Sequence, residues 1–199
     1  MKTGFLAACM VVAGSLACGG GGSTSVNGNI RGSSLPVSDT LSANVNIKLS
    51  SSQSFQAGAI FISNMSNVCS NATAGKVSKN SRMLGFVVSD YSSSTQTTSA
   101  PTSAGAYPVV ATTFSSSAPP PKFAFVSYGE TDASCQNISG KTATGASGTI
   151  NLTSVSGGNY AGTFDLTLDE GDHLTGSFNG SNCAGLQAAI DTNTAPTCI

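Results

Sequence analysis

The fold is decided by the run GTFDLTLDEGDHLTGSF, which occupies residues 162–178. From Tyr160 to Leu168 every second residue is apolar or glycine, and Leu174 to Phe178 continues this alternation after a polar stretch. A period of two is typical of strands that bury one face. The run therefore predicts a β-hairpin. To bury both apolar faces together, we place its loop at Glu170-Gly171-Asp172. This register pairs Leu168 with Leu174, Leu166 with Gly176, and Phe164 with Phe178.

A third strand extends this hairpin toward the N-terminus. Paired apolar residues must again face the same side of the sheet. This sets Leu152 opposite Phe164 and Ile150 opposite Leu166, which requires a three-residue loop, Gly157-Gly158-Asn159. In this register the side chain of Val155 points outward, or Val155 lies in a β-bulge. The sequence thus predicts a three-stranded meander over residues 149–179.

The rest of the mature chain repeats this pattern of short alternating runs separated by turn residues. In Ala43–Leu49, Val45 faces a dry side and Asn44 a wet one, as expected of an antiparallel sheet. Long helices are not expected, and only Cys183–Ile190 is predicted to form two helical turns. Ser92–Gly105 and Ser115–Pro121 are predicted surface loops. The remaining predicted strands are Val26–Gly32, Phe55–Ser63, Met83–Asp90 and Lys122–Tyr128.

These runs predict one all-β domain over residues 26–199, either an antiparallel sandwich or an open barrel. About 180 residues suffice for one domain with a real core. Only 9% of the residues are charged and the formal net charge is -1. No basic surface is therefore available to neutralise nucleic-acid phosphates, and nucleic acid is not an expected partner.

The first 17 residues predict a cleaved signal peptide. Lys2 gives a positive start, and Gly4 to Ala17 is a short run of small and apolar residues. A membrane-spanning helix needs about 20 apolar residues, and this run is shorter. Ser15 and Ala17 are small residues three and one places before Cys18, as signal cleavage requires.

Cys18 is followed by a tether, residues 18–25, whose Gly/Ser-rich composition is typical of a flexible coil. A cysteine at the cleavage site followed by such a tether resembles a bacterial lipoprotein. That resemblance implies a lipid on Cys18. Two alternatives stay open. The residues Leu6-Ala7-Ala8 before Cys9 match the lipoprotein consensus better, but too few apolar residues precede them. Cleavage before Cys18 without lipid attachment would leave a free Cys18.

Four cysteines remain in the mature domain besides Cys18: Cys69, Cys135, Cys183 and Cys198. Four cysteines in an exported domain predict two disulfides with three possible pairings. Because Cys183 and Cys198 bracket a short tail, we predict that bridge, with Cys69–Cys135 as the other. The spacing lacks a Cys-x-x-Cys pair, so a metal site is not expected.

Three segments resemble a group of predicted lipoproteins of unknown function from soil bacteria. They are the closing stretch Gly162–Cys183, the start Gly28–Val37 and the segment Ile62–Cys69. The resemblance implies export, anchoring and a β fold, but no activity. In anchored lipoproteins an Asp two places after the cysteine directs retention, and here that residue is Gly20. The resemblance thus implies the outer membrane.

The candidate catalytic residues are few. His173 is the single histidine, so a small secreted hydrolase would have to use it with an Asp and a Ser. The predicted register places His173 opposite Asp169 on the outer face, which favours an exposed cross-strand pair. No cofactor motif occurs.

Acidic residues gather at the hairpin tip, where Asp169, Glu170 and Asp172 offer the oxygen ligands that calcium prefers. The spacing lacks the Asp-x-Asp-x-Asp-Gly pattern, so this is a weak calcium candidate. We predict a noncatalytic cell-envelope lipoprotein with a structural or recognition role. It would be lipid-anchored or secreted and would contact an unknown envelope or extracellular partner. The alternatives are a carbohydrate- or calcium-dependent adhesion module and the hydrolase that uses His173.

Overall fold

The computed structural model describes residues 23–48, 54–111, 118–192 and 195–199. The predicted signal peptide, Cys18 and the start of the tether lie outside these residues. Within the described part, two short helices, α1 (Val68–Thr73) and α2 (Leu186–Thr192), accompany twelve strands. None of the described helices is long and apolar enough to cross a membrane. The strands are β1 Ser25–Asn27, β2 Asp39–Lys48, β3 Ser54–Ser63, β4 Lys76–Val77, β5 Arg82–Ser92, β6 Thr97–Ser99, β7 Gly105–Pro108, β8 Lys122–Glu130, β9 Ala143–Ser156, β10 Asn159–Leu168, β11 His173–Asn182 and β12 Thr197–Cys198.

Seven of these strands form a closed barrel in the order β11-β10-β9-β8-β5-β3-β2. Neighbours along this order pair antiparallel, whereas β11 and β2 close the barrel through a short parallel pairing, Ser181 with Leu41 and Asn182 with Ser42. The predicted all-β fold with a C-terminal meander and disulfides is confirmed. The sequence left a sandwich and an open barrel as alternatives, and the parallel seam is what closes the sheet.

The β10–β11 hairpin is present, but the predicted register is wrong by two residues. Leu166 pairs with Leu174, and Phe164 pairs with Gly176. The three-residue loop is Asp169-Glu170-Gly171, closed by a hydrogen bond from the Leu168 amide to the Asp172 carbonyl of 2.8 Å. Such a loop needs its left-handed residue at the third place, and Gly171 has φ +90°. The predicted loop, Glu170-Gly171-Asp172, places Gly171 at the second position instead.

The β9–β10 register is also shifted by two residues, one from a turn that is one residue shorter than predicted and one from a bulge at Thr153. Ile150 pairs with Phe164 and Leu152 with Gly162, and the turn is the dipeptide Gly157-Gly158. Both glycines have positive φ, 56° and 87°, as a two-residue hairpin turn requires. A bulge at Thr153 restores the parity, so that apolar residues on both sides of it still point inward.

The predicted strand Val26–Gly32 is only three residues long in the structure. The chain turns at Gly28, which has φ +108° and where a Cβ would lie 2.4 Å from the carbonyl oxygen of His173. The following loop inserts Ile30 and Leu35 into the barrel core, where they are 0% and 4% exposed. This segment therefore closes one end of the barrel instead of extending a sheet.

The other predicted strands are confirmed, with bounds that are longer by a few residues. Leu49 lies outside the described residues. The predicted loop Ser92–Gly105 contains a short strand, β6, which pairs with the end of β5. In the predicted loop Ser115–Pro121, the described residues 118–121 form no strand. The predicted helical segment near Cys183 is found as α2, which begins three residues later.

The apolar residues form two separate clusters. The first fills the barrel and contains large residues such as Phe86, Phe164 and Tyr160. The second covers the outer face of β2, β3, β5 and β8, with Val45 and Phe123 among its members. The sequence correctly predicted that Val45 is buried and Asn44 exposed. Only the structure shows that this dry face of β2 packs outside the barrel core.

Two disulfides join the four cysteines, but the predicted pairing is wrong. Cys69 is bonded to Cys183 and Cys135 to Cys198, each with 5.6 Å between the Cα atoms. Helix α2 and β12 carry the tail away from Cys183, and β12 pairs with β4 in parallel. Proximity along the chain was therefore a poor guide to proximity in space.

Candidate functional site: a groove beneath the cap

We call residues 64–78 together with residues 183–199 the cap. Its described elements are α1, β4, α2 and β12, and α1 contacts both α2 and β2. The amide of Val68 donates to the Asp39 carboxylate at 2.8 Å, which fixes the start of α1 on β2. The Gln187 side chain bonds to the backbone of Asn46 twice. Its Oε1 accepts from the Asn46 backbone N–H at 2.6 Å, and its Nε2 donates to the Asn46 backbone carbonyl at 3.1 Å, which fixes α2 on the same strand.

A groove of about 490 Å³ lies within the cap and against the barrel. We call it the cap groove. Its floor includes Ser63 and Met83 from the barrel, and its walls come from both chain segments of the cap. A volume of this size falls in the range of small-molecule sites. The described lining residues are Ser63, Met65, Val68, Asn71, Ala72, Thr73, Ala74, Gly75, Lys76, Val77, Ser78, Ser81, Met83, Ala189, Thr192 and Pro196.

A second cavity of about 350 Å³ continues the cap groove across the outer face of the barrel. The two share Val77, Ser81 and Met83. Beyond these residues the second cavity reaches Gly85 and Gly129 on neighbouring strands. We call it the side cavity. The two cavities therefore lie side by side, and the cap groove is the larger of the two.

Both disulfides hold the walls of the cap groove. Cys69 lies in α1, and its bond to Cys183 ties that helix to the end of β11. Cys198 lies in β12, and its bond to Cys135 ties the chain terminus to the loop after β8. Thr73 and Pro196, which line the groove, are each within four residues of one of these cysteines. The covalent bonds therefore keep the groove walls in place.

The weak calcium candidate has a different role in the structure. Asp169, Glu170 and Asp172 all converge on Arg31: its guanidinium contacts the first two carboxylates, at 3.0 Å for Asp169. Its backbone amide donates to the Asp172 carboxylate at 2.8 Å. Arg31 itself is only 11% exposed in its side chain. The chain's own cation therefore lies where calcium would have to bind.

His173 does not form a catalytic triad in the described structure. Its Nε2 lies 2.8 Å from the Asp165 carboxylate, and the two side chains are 60% and 74% exposed. The predicted partner was Asp169, and the two-residue register shift explains the change. Among the hydrogen bonds of the described residues, none joins His173 to a Ser or Thr hydroxyl. The residues described also contain no cluster of three His, Cys, Asp or Glu side chains suited to a metal ion.

Two further polar clusters lie at barrel positions. The Tyr107 hydroxyl donates to Asp90 at 2.9 Å, and burial together with this bond raises the pKa of Tyr107 well above its ordinary value. The Tyr128 hydroxyl likewise donates to Glu130 at 2.9 Å, and burial raises its pKa as well. In each cluster the carboxylate also faces a cation, so both are internally satisfied.

Sequence reasoning missed the residues that form the cap groove. Met65 lies in the loop between β3 and α1, Val77 in β4 and Met83 in β5, and the three have no common motif. Lys76 lies in a two-residue strand, which is too short to show an alternation of apolar and polar residues. The only usable signal was the placement of the cysteines, which flank both parts of the cap.

Comparison of the chain with models of known protein families, with curated proteins and with solved structures finds no significant match.

Proposed function

We propose that the protein is a noncatalytic recognition domain of the cell envelope, anchored through a lipid on Cys18, which binds its ligand in the cap groove. The observation that carries this proposal is the position of the two disulfides. The barrel has a packed core of its own, whereas the cap consists of elements of two to seven residues. Such short elements are not stable alone. Covalent bonds are thus placed where a binding surface needs a fixed shape.

The disulfides also support export, because such bonds persist in oxidising compartments outside the cytoplasm. Anchoring is supported by where the chain enters the domain. The Ser177 hydroxyl donates to the Ser23 carbonyl at 2.9 Å, and Thr40 donates to the Thr24 hydroxyl at 3.0 Å. The five residue-to-residue steps from Cys18, which would carry the lipid, to Ser23 span about 17 Å when extended. The domain would therefore stand close to the membrane, and Gly20 favours the outer one.

A noncatalytic role is supported by the way in which the charged side chains are paired. Arg31 neutralises the acidic tip, and the buried carboxyl of Glu130 pairs with Arg82 and Tyr128. His173 is exposed and is paired only with an exposed Asp165. A hydrolase needs a nucleophile within hydrogen-bond reach of its base, and the described hydrogen bonds of His173 provide none. A His173→Ala variant is expected to keep its full function.

Intact-mass measurement of the mature N-terminus tests the anchor. We expect a diacylglycerol-modified Cys18 as the first residue. An unmodified Cys18, or a different first residue, would refute the anchor and leave the binding proposal standing.

A pair of adjacent alanines on α2 tests the groove. Ala189 lines it and is half-buried, whereas Ala188 is exposed and does not line it. Using the neutral fluorescent probe N-phenyl-1-naphthylamine, we expect Ala189→Phe to weaken binding roughly tenfold, which corresponds to about 1.4 kcal/mol. Ala188→Phe, the matched control, should leave binding unchanged. Equal affinity in both variants, or no probe binding to the unchanged protein, would refute the groove as the binding site.

A further inference from the structure

We propose that the ligand of the cap groove is a linear, mostly apolar molecule with a single carboxylate, similar in chemistry to a fatty acid. The carboxylate would pair with Lys76, and the chain would run past Met83 into the side cavity. This inference rests on the proposed function, since it names the ligand class for the same groove.

Lys76 supplies the charge argument. It is the only charged residue among the described residues that line the cap groove. In the described part of the chain, Arg31, Lys48, Arg82 and Lys122 pair with carboxylates, and Lys141 donates to Arg31 and Ser33. Lys76 and Lys79, in contrast, have no ion pair with any described residue, and of these two only Lys76 lines the groove. One unpaired cation at the edge of an apolar groove matches one negative charge.

The adjacency of the two cavities supplies the argument for a linear chain. The cap groove and the side cavity adjoin at Val77, Ser81 and Met83, the residues that line both. Met65 and Met83 line the path, and methionine side chains adapt readily to flexible apolar chains. A bulky rigid ligand would fill the cap groove alone, whereas a flexible chain can occupy both parts.

Gly129 keeps the far part of this path open. A Cβ there would meet no atom within 4 Å, so space lies above that strand position. Gly85, on the neighbouring strand, is covered instead by the ring of half-buried Phe61, to which a Cβ at Gly85 would approach to 3.1 Å. The far part of the side cavity therefore offers open space above the backbone of Gly129 beside an aromatic ring, against which an apolar chain can lie.

Displacement of N-phenyl-1-naphthylamine by octanoate, hexadecanoate and hexadecanol, each below the concentration at which it forms micelles or precipitates, tests the proposal. We expect both carboxylates to displace the probe. Lys76→Gln should weaken their binding about threefold, the size typical of an exposed ion pair, and should leave hexadecanol unaffected. Lys79→Gln is the matched control, because Lys79 also lacks a described ion pair but does not line the groove. It should change neither affinity.

The chain path is tested by filling the side cavity. Gly129→Leu should weaken hexadecanoate binding roughly tenfold, about 1.4 kcal/mol, and leave octanoate unchanged, because the short chain stays under the cap. Thr163→Leu, on the exposed outer face of β10, controls for added surface hydrophobicity.

Three outcomes would overturn the proposal while the groove remains a binding site. The probe could bind without being displaced by hexadecanoate, Lys76→Gln could leave carboxylate affinity unchanged, or Gly129→Leu could affect both chain lengths equally. If the probe itself fails to bind, the proposed function fails together with this inference.

Discussion

The barrel and the cap are stabilised in different ways. The barrel has a continuous core of large side chains, and the rings of Phe86 and Phe164 lie 5.2 Å apart at its centre. Neither disulfide joins one barrel strand to another: each has at least one cysteine in the cap. In its described residues, the cap has one helix of six residues, one of seven, and two strands of two residues.

The barrel and the cap therefore depend on different sources of stability. Burial of apolar surface in the barrel supplies a stable scaffold, since each large buried side chain contributes about 1.5–3 kcal/mol. The cap has too little buried surface for that, so cross-links compensate by restricting the unfolded chain. We therefore expect perturbations of the core to affect the whole molecule and perturbations of the disulfides to affect the cap first.

Truncation of a core ring should give the largest effect. Phe86 is fully buried and contacts the rings of Phe164 and Phe178. Phe86→Ala should lower the free energy of unfolding by about 3–5 kcal/mol, because it removes apolar contacts and leaves a cavity. Urea denaturation measures this. Phe61→Ala, at a half-buried position on the outer face, should cost about 1 kcal/mol. Equal losses would contradict the distinction between barrel core and outer face.

Removal of the Cys69–Cys183 bond should give the next largest effect. The double variant Cys69→Ala/Cys183→Ala should lose about 2–4 kcal/mol, because the bond closes a long loop. In hydrogen exchange, amides of α1 and α2 should lose protection while those of β3, β5 and β10 keep it. Uniform loss of protection would show that cap and barrel unfold as one unit.

Alkaline pH should act on the barrel first. Burial, with a smaller contribution from the Asp90 charge, raises the pKa of Tyr160 to about 12. The unfolded state titrates near pH 10, so between pH 10 and 12 the folded state holds the proton more tightly. The contribution of Tyr160 to stability is therefore complete below pH 10 and falls by roughly 2–3 kcal/mol as pH rises to 12. Tyr160→Phe should reduce this slope in urea titrations at several pH values. An unchanged slope would exclude Tyr160 as its source.

Loss of the ion pairs at the barrel end should have the smallest effect. Arg31→Gln should cost about 1 kcal/mol, because its carboxylate partners are partly exposed. The loss should shrink in high salt, where exposed charges are screened. Lys48→Gln is the control, since Lys48 is 73% exposed and lies 3.9 Å from Asp191. Urea denaturation at two salt concentrations distinguishes them, and a salt-independent loss would indicate that Arg31 acts through packing.

The sequence predicted the strands well and their partners less well. Alternation located Phe55–Ser63 and Tyr160–Leu168 almost to the residue, because period-two burial is a local property. Register failed by two residues at both hairpins of the meander. Parity alone cannot distinguish registers that differ by two, and the turn geometry at Gly157-Gly158 and Gly171 decided them.

The candidate site was less predictable than the fold. The acidic tip and His173 were conspicuous in sequence, but the structure gives them partners on the surface. The cap groove was inconspicuous, because its lining comes from residues 63–83 and 189–196. Long-range contacts bring these segments together, and no local pattern encodes them.

By itself, the sequence determined an all-β domain with two disulfides and a buried meander, because alternation, turn residues and cysteine content are local or compositional properties. Only the tertiary structure decided the parallel seam that closes the barrel, the pairing of the cysteines and the cap groove. Each of these depends on which distant segments share a surface once the core has packed. That choice is made by the whole set of apolar faces together.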